Sequence, residues 1–285
     1  MSERQRANHQ HSAAVPHADA TRSEVAGISA QSAELLCTDD AGVRCVTLSH
    51  PTRRNALDDD ARARLLALLQ RAFADPAIRV LVITGAAGTF SAGGDLRAMS
   101  TDPAVAAPRL EVAGDIIRAI AAAPIPVLTA VEGQCYGFGL ALAAASDHII
   151  AGATASFCCP FPRVGLAADG GLHHTLAARV GRGRAAQMLM FAEPVDTRLA
   201  AEWGLIDQAT NDGEALPTAL ERARTLTARA PLSLSTAKRL QADLAGLDAA
   251  LRAEATAQLD LITSDDFAEG VAAFLAKRPA TFHGR

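Results

Sequence analysis

The chain has 285 residues, 49% hydrophobic, 20% charged and only 4% aromatic, which is enough apolar mass for one large domain or two smaller ones and excludes disorder over most of its length. With 27 basic against 31 acidic side chains the formal net charge is −4, a balance that recommends neither nucleic acid nor an anionic membrane as a partner and leaves a small anionic ligand to local basic residues. The most apolar stretch, 119–131, is broken by Pro124 and Pro126 and is shorter than the ~20 residues of a spanning helix. Five cysteines without metal spacing, two of them adjacent at 158 and 159, fit a reducing cytoplasm better than a disulfide framework.

In chain order, residues 1–31 mix His, Ser, Ala, Asp and Arg without a period of 2 or 3.6 and read as a disordered tail. They lack the apolar region of a secretory signal, and Glu3, Asp19 and Glu24 weaken a mitochondrial presequence despite Arg4, Arg6 and Arg22. Order is expected from residue 34, with strands over 34–38 and 43–49 around the turn Asp39-Asp40-Ala41-Gly42. Leucines at 65, 66, 68 and 69 among arginines predict an amphipathic helix over 61–74, capped by Asp58 or Asp59. The β-branched run 78–84 reads as a strand buried on both faces. A helix over 110–122, a buried strand over 127–131, a small-residue helix over 138–145 and a strand over 147–151 continue the alternation, which argues for a parallel sheet with helices on its faces. Past Gly170 the pattern is mostly helical: 172–180, 184–190, 197–203, 213–230, 232–244, 248–262 and 267–276. The expected layout is an α/β core over 32–210 followed by a helical region over 211–285, with no internal repeat.

Two glycine-rich turns follow buried strands, 85–96 (GAAGTFSAGGDL) and 132–140 (EGQCYGFGL). A strand end leading into a helix presents backbone N–H groups that have no partner within the helix, and two such ends side by side can hold one anionic oxygen. The turns do not fit a dinucleotide fingerprint, since position 142 is Leu where the pattern after Gly137 and Gly139 wants Gly or Ala. They do not fit a nucleophile elbow either, because Thr89 stands where the first glycine before Ser91 belongs. Taken singly, each glycine is better explained by a tight turn, and only the pair of loops with their neighbours points to a site.

The two turns and their neighbours resemble the crotonase, or enoyl-CoA hydratase/isomerase, superfamily over nearly all of 34–285. The matching pieces are Arg53-Arg54-Asn55-Ala56-Leu57, Phe90-Ser91-Ala92-Gly93-Gly94-Asp95-Leu96, Ala130-Val131-Glu132-Gly133 with Gly137-Phe138-Gly139, Ala155-Ser156-Phe157, Gly165-Leu166-Ala167-Ala168-Asp169-Gly170-Gly171, AAEWGLI at 200–206, and Glu269-Gly270 with Ala273-Phe274-Leu275-Ala276-Lys277-Arg278. Each alone is a weak signal; their order and spacing together are specific. The resemblance implies a (ββα)n spiral core with a helical C-terminal trimerisation region, a homotrimer or dimer of trimers, and a site for acyl-CoA thioesters that stabilises an enolate in an oxyanion hole. Carried over by position, the two donors are the backbone N–H groups of Gly94 and Phe138. Arg54, Ala56, Ala92, Asp95 and Leu96 would line the CoA channel, and Lys277 would reach CoA across a subunit boundary. No cofactor and no metal is expected, coenzyme A being part of the substrate.

The superfamily leaves the chemistry open, because its acid/base residues sit at interchangeable positions around one enolate site. The two glutamates on which hydration relies in the family fall here on Ala141 and Phe161, neither of which moves a proton. One carboxylate remains. Asp169 resembles the single catalytic acid of the Δ3,Δ2-enoyl-CoA isomerase branch, and one carboxylate suffices to take a proton from C2 and return it at C4. Phe138, Phe161 and Leu166 would exclude water around it and raise its pKa. The competing reading makes Asp169 an N-cap of the helix at 172. Glu132 reads as solvating its turn, and His173 and His174 as structural or exposed unless a hydrolase-like chemistry uses them. Tyr136 is placed to pack against substrate, and Cys135, Cys158 and Cys159 read as small apolar fillers. The favoured function is enoyl-CoA isomerisation. The alternatives are a hydratase with an atypical acid/base set, a catalytically reduced acyl-CoA-binding paralogue and, more distantly, a serine hydrolase.

Overall fold

In the computed structural model residues 33–285 are described, so the tail expected at 1–31 lies outside them. The expected hairpin is β1 (Glu34–Asp40) and β2 (Val43–Ser49), paired antiparallel. Asp58 rather than Asp59 caps α1 (Asp59–Ala74), its carboxylate accepting from the Ala61 N–H at 2.8 Å. The leucine face of α1 turns inward and carries Arg62 in with it. Next come β3 (Val80–Gly85), buried along nearly its whole length, and α2 (Pro103–Ala121). α2 starts before the expected residue 110: Pro103 occupies the first turn, where an N–H would be unpaired anyway, Asp102 accepts from the Ala104 N–H, and Pro108 is carried inside the helix.

The chain then runs through β4 (Val127–Val131), β5 (Gln134–Tyr136), α3 (Phe138–Ala144), β6 (His148–Gly152), β7 (Ser156–Cys158) and α4 (Leu172–Phe191). α4 is broken at Gly181, whose backbone leaves helical geometry (φ 77°, ψ 158°), so the two helices expected over 172–180 and 184–190 are distinct segments. β8 (Val195–Asp196), α5 (Thr197–Trp203) and β9 (Gln208–Thr210) precede the C-terminal helices α6 (Ala215–Thr227), α7 (Pro231–Gln241), α8 (Leu244–Leu261) and α9 (Asp265–Ala276). β5, β8 and β9 have only two or three residues each, too short for a period of 2 to stand out.

One sheet has the order β1-β2-β3-β4-β6-β9, parallel from β2 onward, and a second has the order β5-β7-β8. The chain passes from the first sheet to the second after β4 and again after β6. Bridges between Leu57 and Gly94 and between Ser91 and Cys135 show the same passage after β2 and β3. Each passage leads into a helix, α1 to α4 in turn, so ββα is repeated four times: the spiral α/β fold expected. The heavy use of alanine has a concrete role on the outer face of the large sheet, where Ala215, Ala219 and Ala223 of α6 lie flat on Val43, Val80, Val82 and Leu128. α8 packs on α2 and α4, and the described residues, 33–285, fall in one compact unit.

Candidate active site

The two glycine-rich turns meet because Ser91 joins the second sheet. Its N–H donates to the Gln134 carbonyl (2.9 Å), its own carbonyl accepts from the Tyr136 N–H (2.9 Å), and its hydroxyl donates to the Asn55 carbonyl (2.8 Å) while accepting from the Gly93 N–H (3.0 Å). Only glycine fits at 93: a Cβ there would lie 2.8 Å from the Tyr136 carbonyl oxygen and 3.2 Å from the Phe138 nitrogen. Gly94 and Phe138, the first residue of α3, are thereby brought to adjoining chain segments. Neither N–H donates to a protein acceptor among the described residues.

Asp169 is carried to this point by packing. Next to it Gly170, with φ +69°, lies against α3, where a Cβ would meet the Ala141 Cβ at 2.7 Å and the Phe138 ring at 3.3 Å. Asp169 is only 5% exposed, and its Oδ1 is buried without a hydrogen-bond partner. Burial raises its carboxyl above the ordinary 3.8, opposed chiefly by the nearby Arg62 cation and assisted by Glu254. Arg62 itself is 2% exposed, stacks its guanidinium 4.5 Å above the Phe138 ring centroid, and places Nη2 2.7 Å from where a Cβ on Gly94 would stand. Ala141 and Phe161 are both buried beside these groups, and Leu166 is tied in through its N–H to the Phe161 carbonyl (3.0 Å).

The N-cap reading of Asp169 is overturned. The N-cap of α4 is Gly171, which has no side chain to offer, and the cap comes from α8: Glu254 accepts from the Gly171 N–H (2.6 Å) and the His173 N–H (3.0 Å), and its Oε1 lies 2.8 Å from His173 Nδ1. One turn further along α8, Gln258 donates to the Ala167 carbonyl at 2.6 Å. The loop bearing Asp169 is therefore held at both ends by α8, and the Asp169 side chain is not the cap of α4. Glu254, Gln258, Arg62 and a second buried arginine, Arg109 on α2, are the residues that sequence reasoning missed. The signal for the first two is their place at 254 and 258 on the face that Leu247 and Leu251 bury, where an acid and an amide are unexpected. Glu132, expected only to solvate its turn, in fact accepts from the Gly213 and Ala215 N–H groups at the start of α6. Tyr136 hydroxyl pairs with that of Ser156 at 3.1 Å.

The expected CoA-lining residues cluster at the mouth of the same turns, with one exception. Asn55, fully buried, donates to the Ala86 (2.9 Å) and Thr89 (2.8 Å) carbonyls and latches the 50–57 segment to the first turn. This sets Arg54 outside, exposed and bonded to Gln134 Oε1 at 3.0 Å, and Ala56 inside. The Ala92 N–H donates to the Arg54 carbonyl (2.8 Å), Leu96 is half-buried, and Asp95 is engaged by Arg53 and by the Arg97 N–H. Lys277 is exposed at the end of α9 in a left-handed conformation, and no hydrogen bond among the described residues ties it to the two turns. His173 is committed to Glu254, which raises its pKa above 6.5. Cys135, Cys158 and Cys159 are buried thiols whose pKa burial pushes up, as suits fillers rather than nucleophiles.

Among known proteins, the sequence pattern of the family described as enoyl-CoA hydratase/isomerase matches residues 38–285. The chain is 35% identical over 258 residues to 1,2-epoxyphenylacetyl-CoA isomerase of Escherichia coli (strain K12), covering 88% of this chain and 98% of that one. It is 39% identical over 252 residues to a probable enoyl-CoA hydratase of Rhodobacter capsulatus, covering 86% and 95%. The crystal structure of an enoyl-CoA hydratase from Mycobacterium avium subsp. paratuberculosis superposes with a TM-score of 0.81 at 31% identity, over 88% of this chain and 99% of the other.

Proposed function

We propose that this chain, which belongs to the enoyl-CoA hydratase/isomerase family, moves the double bond of an enoyl-CoA thioester from C3 to C2 with a single carboxylate. The observation that carries the reading is Asp169: a buried carboxylate with one oxygen unbonded, beside the Gly94 and Phe138 turns, with no second proton-bearing side chain at Ala141 or Phe161. Asp169 takes a proton from C2, and the C–H electron pair passes into the thioester carbonyl to give an enolate. The Gly94 and Phe138 N–H groups hold the enolate oxygen; removing one donor of this kind typically costs ~10²–10³ in rate. Collapse of the enolate restores the carbonyl, the double bond settles between C2 and C3, and the carboxyl of Asp169 returns the proton at C4. No proton is gained or lost overall.

Burial makes Asp169 a stronger base than a solvated carboxylate, while the Arg62 cation keeps its ionised form accessible. Adding water would demand a further group to place and activate it, and the two positions where the family keeps glutamates for this hold Ala and Phe. The reading includes Arg54, Ala56, Ala92, Asp95 and Leu96 as the entrance for CoA, a homotrimer or dimer of trimers in which Lys277 of one subunit reaches CoA of another, and a cytoplasmic setting suited to buried free thiols. No helix among the described residues is long and apolar enough to cross a membrane.

The test is to offer 3-enoyl-CoA and 2-enoyl-CoA separately. Isomerisation of the first is expected, and Asp169→Asn is expected to lower kcat by about 10²–10⁴ while leaving acyl-CoA affinity within severalfold. Hydration of the 2-enoyl ester with the 3-enoyl ester untouched would overturn the isomerase assignment.

A further inference from the structure

Two buried cations lie beside the reacting centre, and the proton transfer just described draws on only one of them, Arg62, and only through its charge on Asp169. Arg62 on α1 and Arg109 on α2 are 2% and 7% exposed. Arg62 Nε and Nη1 and Arg109 Nε are buried without a hydrogen-bond partner, and the two charges lie near enough to repel each other. Both line a cavity of about 170 Å³ with half-buried Val112 and, at an exposed rim, Asp59, Val105 and Pro108. Burying a cation without acceptors is among the most costly arrangements a protein can hold, and Asp169, which feels both arginines, has one charge against their two. A hydrocarbon chain entering this cavity would expel water and leave all three nitrogens unpaired. A chain carrying two anionic oxygens would satisfy them.

We propose that the acyl group taken by this site ends in a carboxylate held by Arg62 and Arg109, so that the substrate is a short dicarboxylic enoyl thioester of CoA rather than a plain fatty one. The chain is short because Arg62 stands against both Gly94 and the Phe138 ring, only a few carbons from where the thioester carbonyl would lie. The carboxylate bridges the guanidinium groups through charge-assisted hydrogen bonds, for which arginine's planar fork is suited. Asp59 is solvent-exposed, and water screens its repulsion.

The inference rests on the acyl-CoA reading of the site, and its test is separable from that of the isomerase chemistry. Calorimetry of the full chain with two saturated, unreactive esters of equal carbon count, adipoyl-CoA and hexanoyl-CoA, compares a carboxylate with a methyl end. Adipoyl-CoA is expected to bind at least about tenfold more tightly, as one or more hydrogen bonds to a charged group imply, and Arg109→Met to bring the ratio below about threefold. Circular dichroism checks that the variant folds, and the comparison on the unaltered chain stands without it. Equal binding of the two esters, tighter binding of hexanoyl-CoA, or binding of neither overturns the proposal. A carboxylate preference in a chain that fails to isomerise any 3-enoyl-CoA would sink the isomerase reading alone.

Discussion

Glu254 is the most informative residue to perturb, because it touches no substrate and yet holds the loop that carries Asp169. In Glu254→Gln the side chain keeps its length and one acceptor oxygen, but an NH₂ group now faces either the Gly171 N–H or the two His173 donors, which the carboxylate meets at 2.6, 3.0 and 2.8 Å. A buried donor left unsatisfied costs about 1–3 kcal/mol, and the surviving bond falls from charge-assisted to neutral, a further ~1 kcal/mol. The His173 side chain is 47% exposed, so its share is discounted for solvent screening. The sum is about 3 kcal/mol, which in a domain of this size lowers Tm by roughly 6–12 °C. A second readout separates positioning from stability. Glu254 is among the charges that raise the Asp169 carboxyl, so the acid limb of the kcat/KM pH profile is expected to move to lower pH while kcat falls with the loosened loop. Melting followed by circular dichroism and a 3-enoyl-CoA isomerisation assay across pH give both quantities. A variant that melts within about 2 °C of the parent, against this expectation, and keeps its pH profile would refute the role assigned to Glu254.

Two further expectations follow from the same region. Glu254 holds the His173 pKa above 6.5, so the stabilisation is complete below the unfolded value and is lost as pH rises through the folded one. His173→Gln should therefore cost most in urea unfolding near pH 6 and least near pH 9, and a gap that widens toward alkaline pH would contradict the pairing. Gly170→Ala puts a Cβ 2.7 Å from that of Ala141 at φ +69°, expected to cost about 2–4 kcal/mol from crowding and left-handed backbone strain together. Adding Ala141→Gly should recover the crowding part only, and denaturation midpoints showing no recovery would mean that the contact is not what holds Gly170.

The fold was legible where the chain advertises it in runs. β2, β3 and β4 are long enough for β-branched residues to mark them, and the ordered succession of glycine-rich turns after them marks the spiral. The short β5, β8 and β9 are made by their neighbours: Gln134 to Tyr136 are extended because Ser91 on one side and β7 on the other take their hydrogen bonds. At the site, Gly94, Phe138 and Asp169 were expected from the family resemblance of the glycine-containing segments that carry them, segments short and local enough to be recognised in sequence. Arg62, Arg109 and Glu254 were not. An arginine in a helix rich in arginines looks solvated, and only the packing of α1 on α2 decides that this one is buried. Glu254 lies 83 residues from the N–H it caps, a relation no local pattern contains, and its absence from view left Asp169 as a competing cap.

The grip of α8 on the Asp169 loop also sets the order in which the site comes into being. The two turns and the β7 strand that pairs with the second are complete by residue 158, but the Gly171 and Ala167 groups meet their partners across 83 and 91 residues, a large loop to close before any contact rewards it. A chain emerging from its N-terminus holds every residue of the proposed proton transfer well before it holds the helix that fixes them. The site is thus among the last parts of the described structure to be completed during synthesis, and a chain cut short between residues 171 and 253 has both turns and Asp169 without that support.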